Sequence, residues 1–361
     1  MKIAGGVNVQ AAQIILYLQC VVGAAGVTTF WLVIRKLIDA NPSSFARWLS
    51  PAVAVTVCFW PGSVLSAACL WDYVWQEAAL ALFLYLALVW SENATLARSV
   101  LVGLSGSLLA LINITPGPIV LAAFLLMALG SGLRPKARKM PAVAALCFLV
   151  GIAPWLMRNM VVFHTYVPLR SNAGFEIFQG NNPVECILNP YHAPHPDNDP
   201  NELRKYLDMG EVRYCRYSLH RAVQYIQAHP TQTVRRIVDR VYVTWFTDLT
   251  SHWVRYPDVP WWTKKLRSKV RYGASATLMV LSAGCFLWGL IRGRFALLPY
   301  RYMFAAVLIL LPLPYYPTVA DAPYTATFRM CVAITSLCMM ALKPKRIIAA
   351  TAGNRALETA R

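Results

Sequence analysis

Charge is what this chain most lacks. Only 14% of its 361 residues are charged while 57% are hydrophobic, against roughly a quarter charged in an ordinary soluble domain. The apolar residues are blocked rather than spread, which excludes a water-soluble fold and predicts bilayer spans. Acid is scarcer still: 16 Asp and Glu stand against 34 Lys and Arg, a formal charge of +18. The excess does not mark nucleic-acid binding. The cations gather at the ends of apolar runs and in one polar loop, where a membrane protein carries its anchors and orientation signals. No internal repeat is visible. Metal-ligand spacing is also missing: His192 and His195 are too close-set and proline-rich for a helical pair, and no cysteine or carboxylate stands at ligand distance from them. No metal or other cofactor is expected. Of nine cysteines, only Cys186 and Cys215 lie in polar sequence, and their spacing does not argue for a disulfide; the others sit in apolar runs as small core residues.

Windows of about 18 to 22 residues place spans near 10–33, 49–70, 74–90, 99–115, 117–133, 141–157, 274–291, 302–317 and 326–342. The second is interrupted at Trp60-Pro61-Gly62, and the fourth and fifth meet in a tight turn at "NITPGP". The fold class is therefore an all-α polytopic membrane protein of about nine transmembrane helices. Cation clusters follow alternate spans: Arg35, Lys36 and Arg47; Arg98; Arg134, Lys136, Arg138 and Lys139; Arg292 and Arg294; Lys343, Lys345 and Arg346. With alternating spans all of them fall on one side, the cytoplasm. The organisation that follows is a six-span bundle over 1–157, an extracytoplasmic segment over 158–273, further spans over 274–343 and a cytoplasmic tail over 344–361. Met1 then begins outside without a signal peptide, as in a chain that has lost an upstream span.

The segment over 158–273 is far beyond ordinary loop length and holds all six histidines. Helical period returns over 210–230, where Val212, Cys215, Leu219, Val223 and Ile226 share a face and Pro230 ends the run. A second period puts Val234, Ile237, Val238, Val241 and Trp245 opposite Arg235, Arg236 and Arg240. These short helices are expected to pack on each other or to lie along the membrane surface. "YPDVPWW" brings aromatic residues back to the interface before the next span.

One stretch carries a specific pattern: "PWLMRNMVVFHTYVPLRSNAGFEIFQGNNP", from Pro154 to Pro183. It resembles a segment of bacterial integral-membrane glycosyltransferases of the GT-C superfamily, relatives of the dolichyl-phosphate-mannose protein mannosyltransferases (family 39) and of lipid A aminoarabinose transferase. The matching residues are Pro154, Trp155, Arg158 and Asn159, then Val167, Pro168, Leu169, Ser171, Asn172 and Gly174, then Gly180 to Pro183. "PLPYYPTVADAPYTATFRM" near the C-terminus is also similar, and the resemblance runs from about Val9 to about Leu342. It implies transfer of a sugar from a polyprenyl-phosphate carrier to an acceptor hydroxyl on a protein, lipid or glycan, at the outer face of a bacterial inner membrane. A lipid phosphate calls for guanidinium groups where spans end. Arg158, Arg170 and Arg329 are the candidates. Asn172, Asn181 and Asn182 offer side-chain amides for sugar or acceptor hydroxyls, or for turns.

The transfer also needs a carboxylate base. The resemblance puts it in an outer loop after the family's first span, whereas this chain opens on what looks like the family's second. The expectation is thus an N-terminally shortened chain whose own activity is open. Its remaining acids near that face are Asp72, Glu77 and Asp321, with Glu77 one turn inside a span, where an ionisable group is costly and functional by default. The alternative from another class is a non-enzymatic transporter or flippase component for lipid-linked sugars, though such proteins commonly show repeats.

Overall fold

The computed structural model describes residues 9–39, 46–60, 63–64, 67, 70, 72–129, 139–184, 194–246, 277–298, 301–319 and 322–341. Asp321, Cys186, His192, the aromatic run 256–262 and the tail 344–361 lie outside the described residues. Among the described residues the chain is all-helical. We number the helices α1 (Val9–Asp39), α2 (Ala46–Cys58), α3 (Tyr73–Glu92), α4 (Leu96–Ile112), α5 (Gly117–Leu129), α6 (Met140–Phe163), α7 (Ala173–Gly180), α8 (Pro200–Met209), α9 (Glu211–Ala228), α10 (Pro230–Phe246), α11 (Thr277–Ile291), α12 (Arg301–Leu310) and α13 (Ala322–Ala341). Three of them, α1, α3 and α6, contain stretches long and apolar enough to cross a membrane: Gln10–Lys36, Tyr73–Glu92 and Met140–Phe163. Helices α4, α5, α11, α12 and α13 are apolar but shorter.

Small residues let these helices approach. In α4, Gly103 and Ser107 lie one turn apart and meet Ala144, Phe148 and Gly151 of α6; a Cβ on Gly103 would collide with the Ala144 carbonyl. Ser107 Oγ also donates across the interface to the Phe148 carbonyl at 2.9 Å, the small-residue and hydroxyl contact typical of helices packed without water. Gly26 of α1 does the same against Ala78 of α3. Outward faces are apolar: Leu101, Leu104 and Leu108 on α4, Leu121 and Leu125 on α5, and Leu146, Leu149 and Val150 on α6 are all exposed.

Helix α13 is the hub. Every residue from Thr325 to Ser336 is buried, and it touches α1, α2, α3, α10 and α12. The hairpin of α3 and α4 is closed by Arg98, whose guanidinium donates to the carbonyls of Val89 and Asn93 at 2.9 and 3.1 Å and so caps the end of α3. The α4–α5 connection is the expected tight turn, with Gly117 N–H on the Ile114 carbonyl at 2.8 Å. We call the end of the bundle where α3 begins the Asp72 end. The opposite end carries the Lys36–Glu92 ion pair, 2.8 Å long.

The polar segment folds as a second small core, with Phe175 and Phe178 of α7 against Tyr214, Cys215 and Ala222 of α9. It is organised by Glu202 of α8, buried and bound by Lys205 Nζ at 2.9 Å, Tyr214 OH at 2.8 Å and Arg221 Nη1 at 3.0 Å. Two expectations are corrected here. On α9 the buried face is Tyr214, Cys215, Ser218, Ala222 and Tyr225, while Leu219 and Val223 are exposed; Gly174 lets α7 approach the Cys215 carbonyl and Leu219 Cβ. On α10 the expected pattern is inverted. Thr233, Arg236, Arg240, Val243 and Thr244 are buried, and Val234, Val238 and Tyr242 are exposed. Cys215 is a buried free thiol.

Candidate functional site

Arg158 does not close its helix, as the run of apolar residues suggested; α6 continues to Phe163. It ends on His164, which adopts a left-handed conformation at φ 49°, a C-terminal geometry His tolerates better than most residues. The chain then folds back on the helix. Asn159 is buried, and its amide donates to the carbonyls of Val167 and Leu169 at 3.2 and 3.3 Å. Trp155 Nε1 reaches the same Leu169 carbonyl at 3.2 Å. In the motif Pro-Trp-x-x-Arg-Asn, then, Trp155 and Asn159 pin the returning loop and set the positions of the two arginines.

Arg158 stays exposed. Its guanidinium lies over the rings of Trp155 and Phe163, 5.0 and 5.9 Å from their centroids, and Nη1 donates to Asn159 Oδ1 at 2.9 Å. It makes no ion pair among the described residues. Arg170 is differently placed: Nη2 donates to Asp72 Oδ2 at 2.6 Å and to the Ile112 carbonyl at 2.9 Å. Beside it Asn172 donates to Glu176 Oε1 at 2.9 Å. Burial pushes the Glu176 carboxyl above its ordinary range, and the Asn172 hydrogen bond and the Arg170 charge pull the other way. Asp72, Arg170, Asn172 and Glu176 therefore form one cluster at the Asp72 end, with Tyr315 buried beneath it. Glu176 was missed from the sequence; its place four residues after Asn172 on a short helix was the available signal.

Asn181 and Asn182 work inside the fold. The Asn181 amide donates to the carbonyls of Ile177 and Pro317 at 2.8 and 2.7 Å, and Asn182 donates to Phe178 and Gln179 while accepting from Val184 N–H. Arg236 binds the Asn182 carbonyl at 2.8 Å; Arg240 binds the carbonyls of Gly180 and, at 3.0 Å, Tyr316. This explains the inverted face of α10: carbonyls at the end of α7 and at 316 need donors, and two arginines supply them. Arg329 is handled alike. It is 2% exposed, and Nε and Nη2 donate at 3.3 Å to the Thr244 and Val243 carbonyls in the last turn of α10.

Glu77 is buried in α3, where Ser63 Oγ and Thr327 Oγ1 both donate to its Oε1, at 3.1 and 3.4 Å. It lines a cavity of about 430 Å³ between α1, α2, α3 and α13, which sequence reasoning did not find; the "GAAG" run at 23–26 was its trace. Among the described residues no group of three His, Cys, Asp or Glu side chains could hold a metal ion. Compared with protein-family profiles, with curated proteins and with solved structures, the chain matches none.

Proposed function

We propose that this chain is an integral-membrane glycosyltransferase that moves a sugar from a polyprenyl-phosphate carrier to an acceptor hydroxyl. In this reading about nine helices span a bacterial inner membrane, the segment from 158 to 273 lies outside and the C-terminus is cytoplasmic. The acceptor oxygen attacks the anomeric carbon, the bond from that carbon to the phosphate oxygen breaks, polyprenyl phosphate leaves and the hydroxyl proton passes to a carboxylate. The charge that grows on the departing phosphate is met by guanidinium groups held in place beforehand. Asp72 and Glu77 are the described candidates for the proton acceptor. Arg329 supports the site from behind by holding α10 to α13.

The observation that carries this reading is Arg158: an exposed guanidinium fixed over Trp155 and by Asn159, with no carboxylate on it among the described residues, at the end of the bundle where Arg170 also stands. A planar cation so placed is suited to a phosphate. The test is carrier binding by wild type and Arg158→Ala in lipid nanodiscs. Loss of a charged phosphate contact removes about 1.5–3 kcal/mol, roughly ten- to 150-fold in Kd. Unchanged binding in a folded variant rules Arg158 out as the phosphate ligand. If no labelled sugar moves while carrier is saturating, the enzyme reading fails.

A further inference from the structure

The cavity beside Glu77 has features that the phosphate site does not explain. Its walls are small or apolar: Gly23 and Ala24 of α1, Ala67, Ala78 of α3 and Met330 of α13 among them. At about 430 Å³ it falls in the range of small-molecule pockets, roughly 300–1,000 Å³. Its single charged side chain is Glu77, and no Lys, Arg or His is among the described residues that line it. Both hydrogen bonds to Glu77 fall on Oε1; no described residue donates to Oε2. A carboxylate walled by hydrocarbon is costly, and a hydrogen-bond donor on its second oxygen lowers that cost.

We propose that this cavity binds a single-chain amphiphile whose head donates a hydrogen bond to Glu77 Oε2, a long-chain alcohol or amine. The chain lies against the small apolar wall and the head against the carboxylate, with the Ser63 and Thr327 hydroxyls holding Oε1. A phosphate head is disfavoured on charge: it would face a carboxylate with no cation among the described lining residues to offset it. Neither Arg158 nor Arg170 is among the described residues that line the cavity. What the cavity holds does not depend on whether sugar is transferred.

Two native thiols, Cys20 and Cys58, line the same cavity and report its occupancy. The experiment is alkylation of the protein in nanodiscs by N-ethylmaleimide, with peptide mass spectrometry reading Cys20 and Cys58 and with Cys147 and Cys285 as references. The probes are 1-hexadecanol, hexadecylamine and hexadecyl phosphate. At ten times its Kd an occupant leaves about a tenth of cavities open, so alkylation of both thiols slows about tenfold. The alcohol or the amine is expected to do this, and the phosphate is not; preference between the first two tells a neutral head from a cationic one. Ala24→Phe fills the cavity and should abolish protection. Glu77→Gln, which keeps the shape, should weaken binding of the protecting probe about tenfold. No protection by either donor-headed probe overturns the proposal. So does equal protection by the phosphate, or probe affinity unchanged in Glu77→Gln. Loss of carrier binding in Arg158→Ala bears only on the transferase reading.

Discussion

Removing the charge of Asp72 separates two roles for Arg170, phosphate ligand or plain ion-pair partner. The pair is short, 2.6 Å, but its side chains are 43% and 35% exposed, so solvent screens it and it contributes roughly 0–1 kcal/mol. Asp72→Asn keeps the shape and an acceptor for Nη2 while deleting the anion that competes for the guanidinium. The Ile112 carbonyl, 2.9 Å away, continues to hold the side chain in place. If Arg170 takes the carrier phosphate, the phosphate no longer displaces a carboxylate, and affinity should rise by at most about 1 kcal/mol, two- to fivefold in Kd. Glu176 remains near Arg170, which keeps the gain modest. The assay is carrier titration into nanodiscs holding wild type, Asp72→Asn, Arg170→Ala and the double variant, at low and high salt. The gain should shrink at high salt and vanish in the Arg170→Ala background. Weaker binding in Asp72→Asn, or the same gain without Arg170, would refute the role given to Arg170.

Three further outcomes follow from the contacts. Gly180→Ala puts a Cβ against the Thr318 carbonyl and 3.1 Å from the Arg240 guanidinium; overpacking there should cost about 1–3 kcal/mol, read as a lower Tm in detergent, and an unchanged Tm contradicts this close packing. Burial alone would raise the Glu202 carboxyl, but hydrogen bonds from Lys205 and Tyr214 and the Arg221 charge outweigh it and hold it below its ordinary range. Its stabilisation is therefore complete above the unfolded value, about 4.3, and is lost as pH falls through the lower folded value. Hydrogen exchange over 200–228 should show wild-type protection collapsing in that acid window; Glu202→Gln should lose about 1–3 kcal/mol already at pH 7, discounted because Lys205 and Arg221 reach solvent, and equal protection in the two proteins speaks against the network. Val234, Val238 and Tyr242 form an exposed stripe on α10, each about 60% accessible. A spin label at 238 should be relaxed by oxygen more than by a water-soluble nickel chelate, and the reverse order would put this face in water.

Apolar helices were legible because their signal is local: hydrophobic blocks and the "NITPGP" turn are properties of consecutive residues; of these helices, three are long and apolar enough to cross a membrane. The limits of α6 were not, since Val161, Val162 and Phe163 keep the helix going and only the left-handed His164 stops it. The faces of α9 and α10 were misread for a related reason. A hydrophobic period assumes that apolar side chains seek the interior and arginines seek water. On α9, the aromatic rings of Tyr214 and Tyr225 go inside with Ser218 and Ala222, while Leu219 and Val223 stay exposed. On α10, unpaired carbonyls at the end of α7 outrank apolar burial. Among the site residues, Asp72, Arg170 and Asn172 are brought together with Glu176, while Asp321 lies outside the described residues.

The arginines illustrate why composition alone could not rank the site. Arg98 sits in the first turn of α4, Arg236 and Arg240 in the middle of α10 and Arg329 within α13, and residue type alone does not tell them from Arg158 and Arg170. The fold sorts them by the oxygens within reach. Arg98 and Arg329 close the last turns of α3 and α10; Arg236 and Arg240 satisfy carbonyls after α7 and at 316. A buried backbone carbonyl without a donor costs free energy wherever it lies, so these four are held by the chain itself. Arg170 is shared between a carbonyl and a carboxylate. Among the described residues, Arg158 alone of the six has only an amide oxygen and two aromatic rings against it, which leaves remaining donors for an anion arriving from outside the protein.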